Sequence, residues 1–164
     1  IFISIIGFEK IVLFKKFNFK KYFIIFVFLY LLGIFHWIIK YHPHQYVYFN
    51  NLLPKDNLNK KFDIDYWGLS YKENFEFILE NEKSQKIKIY NLSFNKLFYP
   101  LFSLNQTSRN RFVIVKNIED ADFLITNFFL EKKYSKNEIL KEFRVFNEII
   151  VDKNSINTVY KRSN

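Results

Sequence analysis

Few side chains in this 164-residue sequence are of a kind and at a spacing to do chemistry. His42 and His44 stand two apart, and on an extended segment both imidazoles would project to one side, which is how a metal site can begin. Zinc needs three or four protein ligands and no third is near, so two histidines at a membrane interface is the plainer reading. Asp63 and Asp65 have the spacing of an acidic pair that could hold a divalent cation, yet hard cations need more oxygens than two carboxylates supply. Asp65 is expected instead to fix a turn ahead of a helix by accepting backbone hydrogen bonds, and Asp120 and Asp122 to shape the turn before a strand. Without cysteine there is no thiolate nucleophile, thiolate metal site or disulfide framework, and the three glycines form no phosphate-binding loop. No Ser-His-Asp ordering or His-Glu-x-x-His motif occurs either. The sequence therefore assigns no catalytic residue, no cofactor and no metal.

The element that must position everything else is the run Tyr22 to Ile39, 18 residues without a formal charge. As a helix it would be about 27 Å long, close to the thickness of a bilayer's hydrocarbon core. It is apolar on every face and flanked by Lys20, Lys21 and Lys40, so it lacks the polar side of a helix lying on a soluble core. The expectation is a transmembrane helix over 22–40, with Trp37, Tyr41, Tyr46 and Tyr48 where amphipathic rings favour the lipid–water boundary. Residues 2–21 carry five lysines against two in residues 40–59, which places the N-terminal flank in the cytoplasm and the remainder outside it. No small-residue cleavage site follows the run, so a secretory signal is the weaker reading.

Residues 1–14 read as the end of a preceding, truncated membrane helix and 15–21 as a cytoplasmic loop, which makes the chain look like the C-terminal part of a longer polytopic protein. The competing reading is an interfacial amphipathic segment of a single-span protein. The net charge of +9 raises nucleic acid as a partner, but residues 1–40 contribute +5 of it and the other 124 carry 19 basic and 15 acidic side chains. That balance, with no basic block or nucleic-acid motif, argues against it. The bias towards Ile, Lys, Asn and Phe reflects an AT-rich genome more than a function.

Beyond an extended, aromatic-rich linker (41–64), residues 65–164 should form one small α/β domain. Two capping boxes, Ser70-x-x-Glu73 and Ser135-x-x-Glu138, start helices over 71–82 and 135–142. Strands are expected at 86–92, 112–115 and 123–126, with an irregular helix around Pro100. The runs 145–151 and 156–160 flank a polar turn and make a terminal β-hairpin. Strands alternating with helices before a hairpin give a mixed sheet of about five strands. Asn91-Leu-Ser93 and Asn105-Gln-Thr107 match the N-glycosylation pattern, unsurprising among 18 asparagines.

At the join of helix and domain, Tyr41-His42-Pro43-His44-Gln45-Tyr46-Val47-Tyr48-Phe49-Asn50, followed by Asp65-Tyr66-Trp67-Gly68-Leu69-Ser70-Tyr71-Lys72-Glu73, resembles the segment after the last membrane helix of bacterial polytopic glycosyltransferases of the GT-C superfamily, relatives of the dolichyl-phosphate-mannose protein mannosyltransferases. Ala121-Asp122-Phe123-Leu124-Ile125-Thr126-Asn127 and Val159-Tyr160-Lys161-Arg162 are similar to the close of the same domain. The resemblance implies a parent in the bacterial inner or plasma membrane that moves a sugar from a lipid-phosphate carrier on the extracytoplasmic face. Its catalytic acids would lie near an N-terminus outside this sequence, so none carries over, and the partners implied are the bilayer and the parent's own N-terminal membrane domain. The sequence departs from the pattern at His44 and at Lys153-Asn154, where glycine would ease positive φ. Asp65, Tyr66 and Trp67, with His42, Pro43, Tyr46 and Gly68 around them, are the candidate docking motif. The alternatives are that Trp67 closes the domain's own core, and that the chain is a single-span anchored binding or scaffold domain without an enzymatic parent.

Overall fold

A computed structural model of the chain describes residues 7, 10, 19–49, 58–130, 139 and 141–163. It divides into two compact units, residues 1–45 and 46–164. The expectations for 1–14, for most of the 15–21 loop and for the Ser135–Glu138 capping box fall outside the described residues.

In the first unit, α1 runs over Phe19–Lys40, 22 residues. It starts three residues before the uncharged run and takes Lys20 and Lys21 into its first turn. None of its membrane-length window is buried, and it is the one helix among the described residues long and apolar enough to cross a membrane. Most of its large apolar side chains are exposed, while Phe23, Val27, Ile34 and Trp37, spaced along one face, are half-buried. Beyond Lys40 the chain does not continue extended as the sequence suggested. The His44 amide closes a turn onto the Tyr41 carbonyl, and a 3-10 turn follows over Gln45–Val47. His42 is exposed and His44 buried, so the two imidazoles do not share one side. The cause is Pro43, whose fixed φ favours a turn at this point.

The second unit is the expected α/β domain. Helix α2 covers Tyr71–Asn81, followed by β1 (Ile87–Asn91), the short helices α3 (Phe98–Leu101) and α4 (Gln106–Arg109), β2 (Phe112–Ile114), β3 (Phe123–Thr126), β4 (Phe143–Val151) and β5 (Asn154–Arg162). The five strands form one sheet in the order β2-β1-β3-β5-β4. β1 runs parallel to β2 and β3, while β5 is antiparallel to β3 and β4, so the sheet is mixed.

Alternation decides which side each strand residue serves. Ile87, Ile89, Phe112, Phe123, Ile125 and Val159 line one face and pack with Tyr71, Phe75 and Ile78 of α2 and with Leu97, Leu101 and Leu104. Tyr90, Leu92, Leu124 and Tyr160 line the other face and pack with Ala121, Ile139 and Phe143. Both faces are covered at β3, all four residues of which are buried, and this is why it reads as an unbroken apolar run. The hairpin turn is two residues long, Asp152 (φ 47) and Lys153 (φ 70), the doubly left-handed geometry that matches strand twist.

Candidate functional site

The carboxyl ends of the parallel strands β1 and β3 are where an open α/β sheet holds ligands, because the loops leaving them face outward together. Here those loops are ring-bearing. Residues 92–97 follow β1, residues 127–130 follow β3, and the turn before α2 brings Tyr66 and Trp67 beside them. The three segments are tied by the Phe94 amide donating to the Phe129 carbonyl (3.0 Å) and by Asn95 Nδ2 donating to the Tyr66 carbonyl (2.9 Å). Together they line a basin of about 500 Å³ with Tyr66, Trp67, Phe94, Asn95, Lys96, Tyr99, Pro100 and Phe129. Trp67, Tyr66, Phe129 and Phe94 meet in succession edge to face, at centroid distances of 5.0, 4.8 and 6.2 Å. Such contacts set ring orientations that a lone exposed ring would not keep.

Trp67 does not close the domain's core. It is 78% exposed, Tyr99 71% and Phe94 70%. Gly68 explains the outward presentation. Its φ of +67 reverses the chain directly after Trp67, and a Cβ there would stand 2.7 Å from the Tyr71 ring. Only glycine fits this close approach in this conformation.

Behind the rings lies a buried polar knot centred on Asp65, which is 1% exposed. Its Oδ1 accepts from the Tyr46 hydroxyl (2.8 Å) and the Leu69 amide (2.9 Å). Its Oδ2 accepts from the Ser70 amide (3.4 Å) and the Ser70 hydroxyl. The expectation that Asp65 fixes the turn before the helix is thereby met, and the Gly68 amide bonded to the Asp65 carbonyl completes that turn. The expected Ser70 capping box does not form. Ser70 has helical φ and ψ of −68° and −19°, and its side chain makes no cap bond. The carboxylate five residues before Ser70 has taken that hydroxyl instead. Nor do Asp63 and Asp65 form a pair, because Asp63 is exposed while Asp65 is buried.

Burial pushes the Asp65 carboxyl above its ordinary range, opposed by the Ser70 and Tyr46 hydroxyls and the Leu69 and Ser70 amides. Burial and then the Asp65 charge push the Tyr46 phenol upward, so it stays a neutral donor. The knot continues inward. Asn157 donates to Ser70 Oγ (2.8 Å), Asn74 donates to Asn157 (2.7 Å), and Asn147 donates to Asn74 (2.9 Å). Asn127, at the end of β3, donates to the Asp65 carbonyl (2.7 Å) while its amide takes Ser93 Oγ (3.0 Å). The Tyr71 hydroxyl lies 3.2 Å from Asn91 Oδ1 and 3.1 Å from Asn127 Oδ1.

Of the residues singled out in the sequence, the structure thus joins Tyr46, Asp65, Gly68 and Ser70 in the knot and places Tyr66 and Trp67 on the basin. Phe94, Asn95, Lys96, Tyr99 and Phe129 carried no sequence signal of their own, apart from following strands. Asp120 and Asp122 do shape the turn before β3: Asp120 accepts from the Asn117 side chain, and Asp122 from the Lys88 amide (3.1 Å). Asn105 caps α4 by accepting from the Ser108 amide (2.8 Å).

Chemically the basin offers exposed rings and a few polar groups. Among the described residues Lys96 is its one charged lining residue, and the nearby carboxylate of Asp65 is buried with its lone pairs engaged. Among the described residues no group of three or more His, Cys, Asp or Glu could hold a metal ion. Comparison of the chain with protein-family models, with curated proteins and with solved structures finds no match.

Proposed function

We propose that the chain is the non-catalytic C-terminal part of an integral-membrane glycosyltransferase of the GT-C type, which transfers a sugar from a lipid-phosphate carrier on the extracytoplasmic face. The part described here tethers an α/β domain to the membrane and presents an aromatic surface next to the reaction. The observation that carries the membrane half of this reading is α1, 22 residues long with none of its apolar window buried. The glycosyltransferase half rests on the resemblance of the segments around His42-Pro43 and Asp65-Tyr66-Trp67. The basin agrees with it in offering exposed rings and the Lys96 side chain for contact. The alternative of a single-span anchored binding or scaffold domain draws on the same two features, tether and basin, and differs only in lacking an enzymatic parent.

Because the protein has no cysteine, single cysteines report topology cleanly. Ser103→Cys should react with a membrane-impermeant maleimide in intact cells, whereas Lys10→Cys should react only after permeabilisation. The reverse pattern, or partition of the chain into the soluble fraction without detergent, overturns the reading. Sugar transfer by this chain alone would also overturn the non-catalytic assignment. Transfer by the parent protein that falls on Trp67→Ala, with expression unchanged, supports the enzymatic reading over the scaffold one.

A further inference from the structure

We infer that the aromatic face around Trp67 seats on the bilayer that α1 crosses, its rings in the interfacial layer and Lys96 and Arg109 against lipid phosphates. This rests on the reading of α1 as a membrane span. Three observations point to lipid as the occupant.

The first is the size and make-up of the face. Trp67, Leu69, Phe94, Phe98, Tyr99 and Phe102 are all more than half exposed. They come from two neighbouring segments, 66–69 and 94–102, that the Asn95–Tyr66 hydrogen bond holds together. Trp67, Phe94 and Tyr99 share the basin, Phe98 packs edge to face on Tyr99 and Phe102, and so large an exposed apolar cluster marks an interaction surface. Trp and Tyr among them are the residues that favour the headgroup level, with an apolar body and a polar tip.

The second is charge. From Leu92 to Ile118 the chain carries Lys96, Arg109, Arg111 and Lys116 and no Asp or Glu. Arg111 is occupied by the carbonyls of Leu79, Glu82 and Ser84. The Arg109 guanidinium lies 4.3 Å over the exposed Phe102 ring, and Lys96 lines the basin. Cations among exposed rings complement an anionic membrane surface.

The third is the tether. Tyr46, whose hydroxyl is bonded to Asp65 two residues before Trp67, follows Lys40 by six residues, a reach of at most about 20 Å. So short a tether turns docking into an intramolecular step, for which weak contacts suffice. A saccharide fits less well, since among the described residues lining the basin Asn95 and Lys96 are the only non-aromatic polar side chains. A pocket for a sugar needs several placed hydrogen-bonding groups.

Trp37 and Trp67 are the two tryptophans, so Trp37→Phe in the full chain leaves Trp67 as sole reporter. Reconstituted in nanodiscs of phosphatidylcholine and phosphatidylglycerol, Trp67 should emit to the blue of water-exposed tryptophan. It should lose most of its emission to phospholipid brominated near the headgroup, and be shielded from aqueous acrylamide. Adding Lys96→Glu and Arg109→Glu should reduce the bromolipid quenching about twofold. Water-like emission with free acrylamide access, in chain that has entered the discs, overturns the docking and leaves the membrane span standing. Failure of the chain to enter discs overturns both. A blue shift without bromolipid quenching assigns the face to a protein partner or a second copy, and likewise overturns the inference.

Discussion

Asp65 is the residue whose replacement should report most directly on the knot. Asp65→Ala removes the acceptor from the Tyr46 hydroxyl, the Leu69 amide, and both the amide and hydroxyl of Ser70. A hydrogen bond to a charged group contributes about 1.5 to 3 kcal/mol. The Tyr46 and Leu69 bonds have good geometry at 2.8 and 2.9 Å, the Ser70 hydroxyl is also engaged, and the Ser70 amide bond, at 3.4 Å, is weak. Release of a carboxylate that burial already disfavours offsets part of the loss. The net destabilisation is about 3 kcal/mol, or about 12 °C in Tm for a domain of this size. Asp65→Asn should behave differently. Its oxygen can serve Tyr46 and Leu69 while its NH2 donates to Ser70 Oγ, but the Ser70 amide and the Ser70 hydroxyl hydrogen both lose their acceptor, so the cost should be about 1 to 2 kcal/mol, smaller than for alanine. The pH dependence adds a second signature. Because the folded carboxyl is raised above its ordinary 3.8, the folded state holds its proton to higher pH than the unfolded chain, so wild type gains stability on acidification from neutrality towards 3.8. Asp65→Asn lacks that gain, and the difference between the two should move in favour of wild type as pH falls. The assay is thermal and urea denaturation of the full chain in detergent micelles, with amide exchange read at Leu69 and Ser70. Equal losses for Ala and Asn, or an Ala variant within about 0.5 kcal/mol of wild type, refute the knot as described.

Gly68→Ala sets a Cβ 2.7 Å from the Tyr71 ring at φ +67 and should cost about 3 kcal/mol, whereas Gly33→Ala, with open space around it, should leave stability unchanged; calorimetry of the two variants that finds them alike counts against the reason given for Gly68. Lys153→Gly relieves a left-handed Lys in the hairpin turn and should raise Tm by about 4 °C, and a fall would mean that the turn geometry is wrong. Glu82 accepts from Ser84 and pairs with Lys161 at 2.9 Å, which holds its carboxyl down to about 2. Its contribution is therefore complete above 4.5 and is lost as pH falls towards 2, so Glu82→Gln should flatten the acid limb of a circular-dichroism titration between those values. An unchanged acid limb would show that the pairing contributes nothing to folding.

The sheet and the hairpin were legible because alternation and continuous apolar runs are local signals. Ile87 and Ile89 point one way between lysines, and Phe123 to Thr126 is unbroken because both faces of β3 are covered. The capping box misled because Ser70 had a stronger competitor than its own helix, a carboxylate folded back over it by the Gly68 reversal. The His-x-His geometry failed because Pro43 set a turn where an extended segment was assumed. The basin could not be read at all, since Trp67, Phe94 and Phe129 are near one another only through the sheet topology. Asn74, Asn147 and Asn157 look like solvent positions on α2, β4 and β5. They sit inside or half-buried because each satisfies the next, a condition no local pattern displays.

The direction of those amide bonds shows why a charge stands at Asp65 in place of a neutral polar residue. Asn147 donates to Asn74, Asn74 to Asn157, Asn157 to Ser70, and Ser70 to Asp65. Every step points its positive end at the carboxylate. An asparagine chain alone could run either way, because each amide is donor and acceptor at once. A carboxylate only accepts, so ending the chain on one fixes every orientation along it, and polarisation strengthens each link. The fixed chain registers β4, β5 and the start of α2 against Tyr46, the residue that opens the second unit after α1. The loop bearing Tyr66 and Trp67 is then held from behind, by Asn127 on the Asp65 carbonyl and Asn95 on that of Tyr66. Its rings need no burial of their own to be positioned. Stability and surface are thereby separable in this domain: Trp67→Ala should abolish the contact made by the rings while leaving the fold within about 0.5 kcal/mol of wild type.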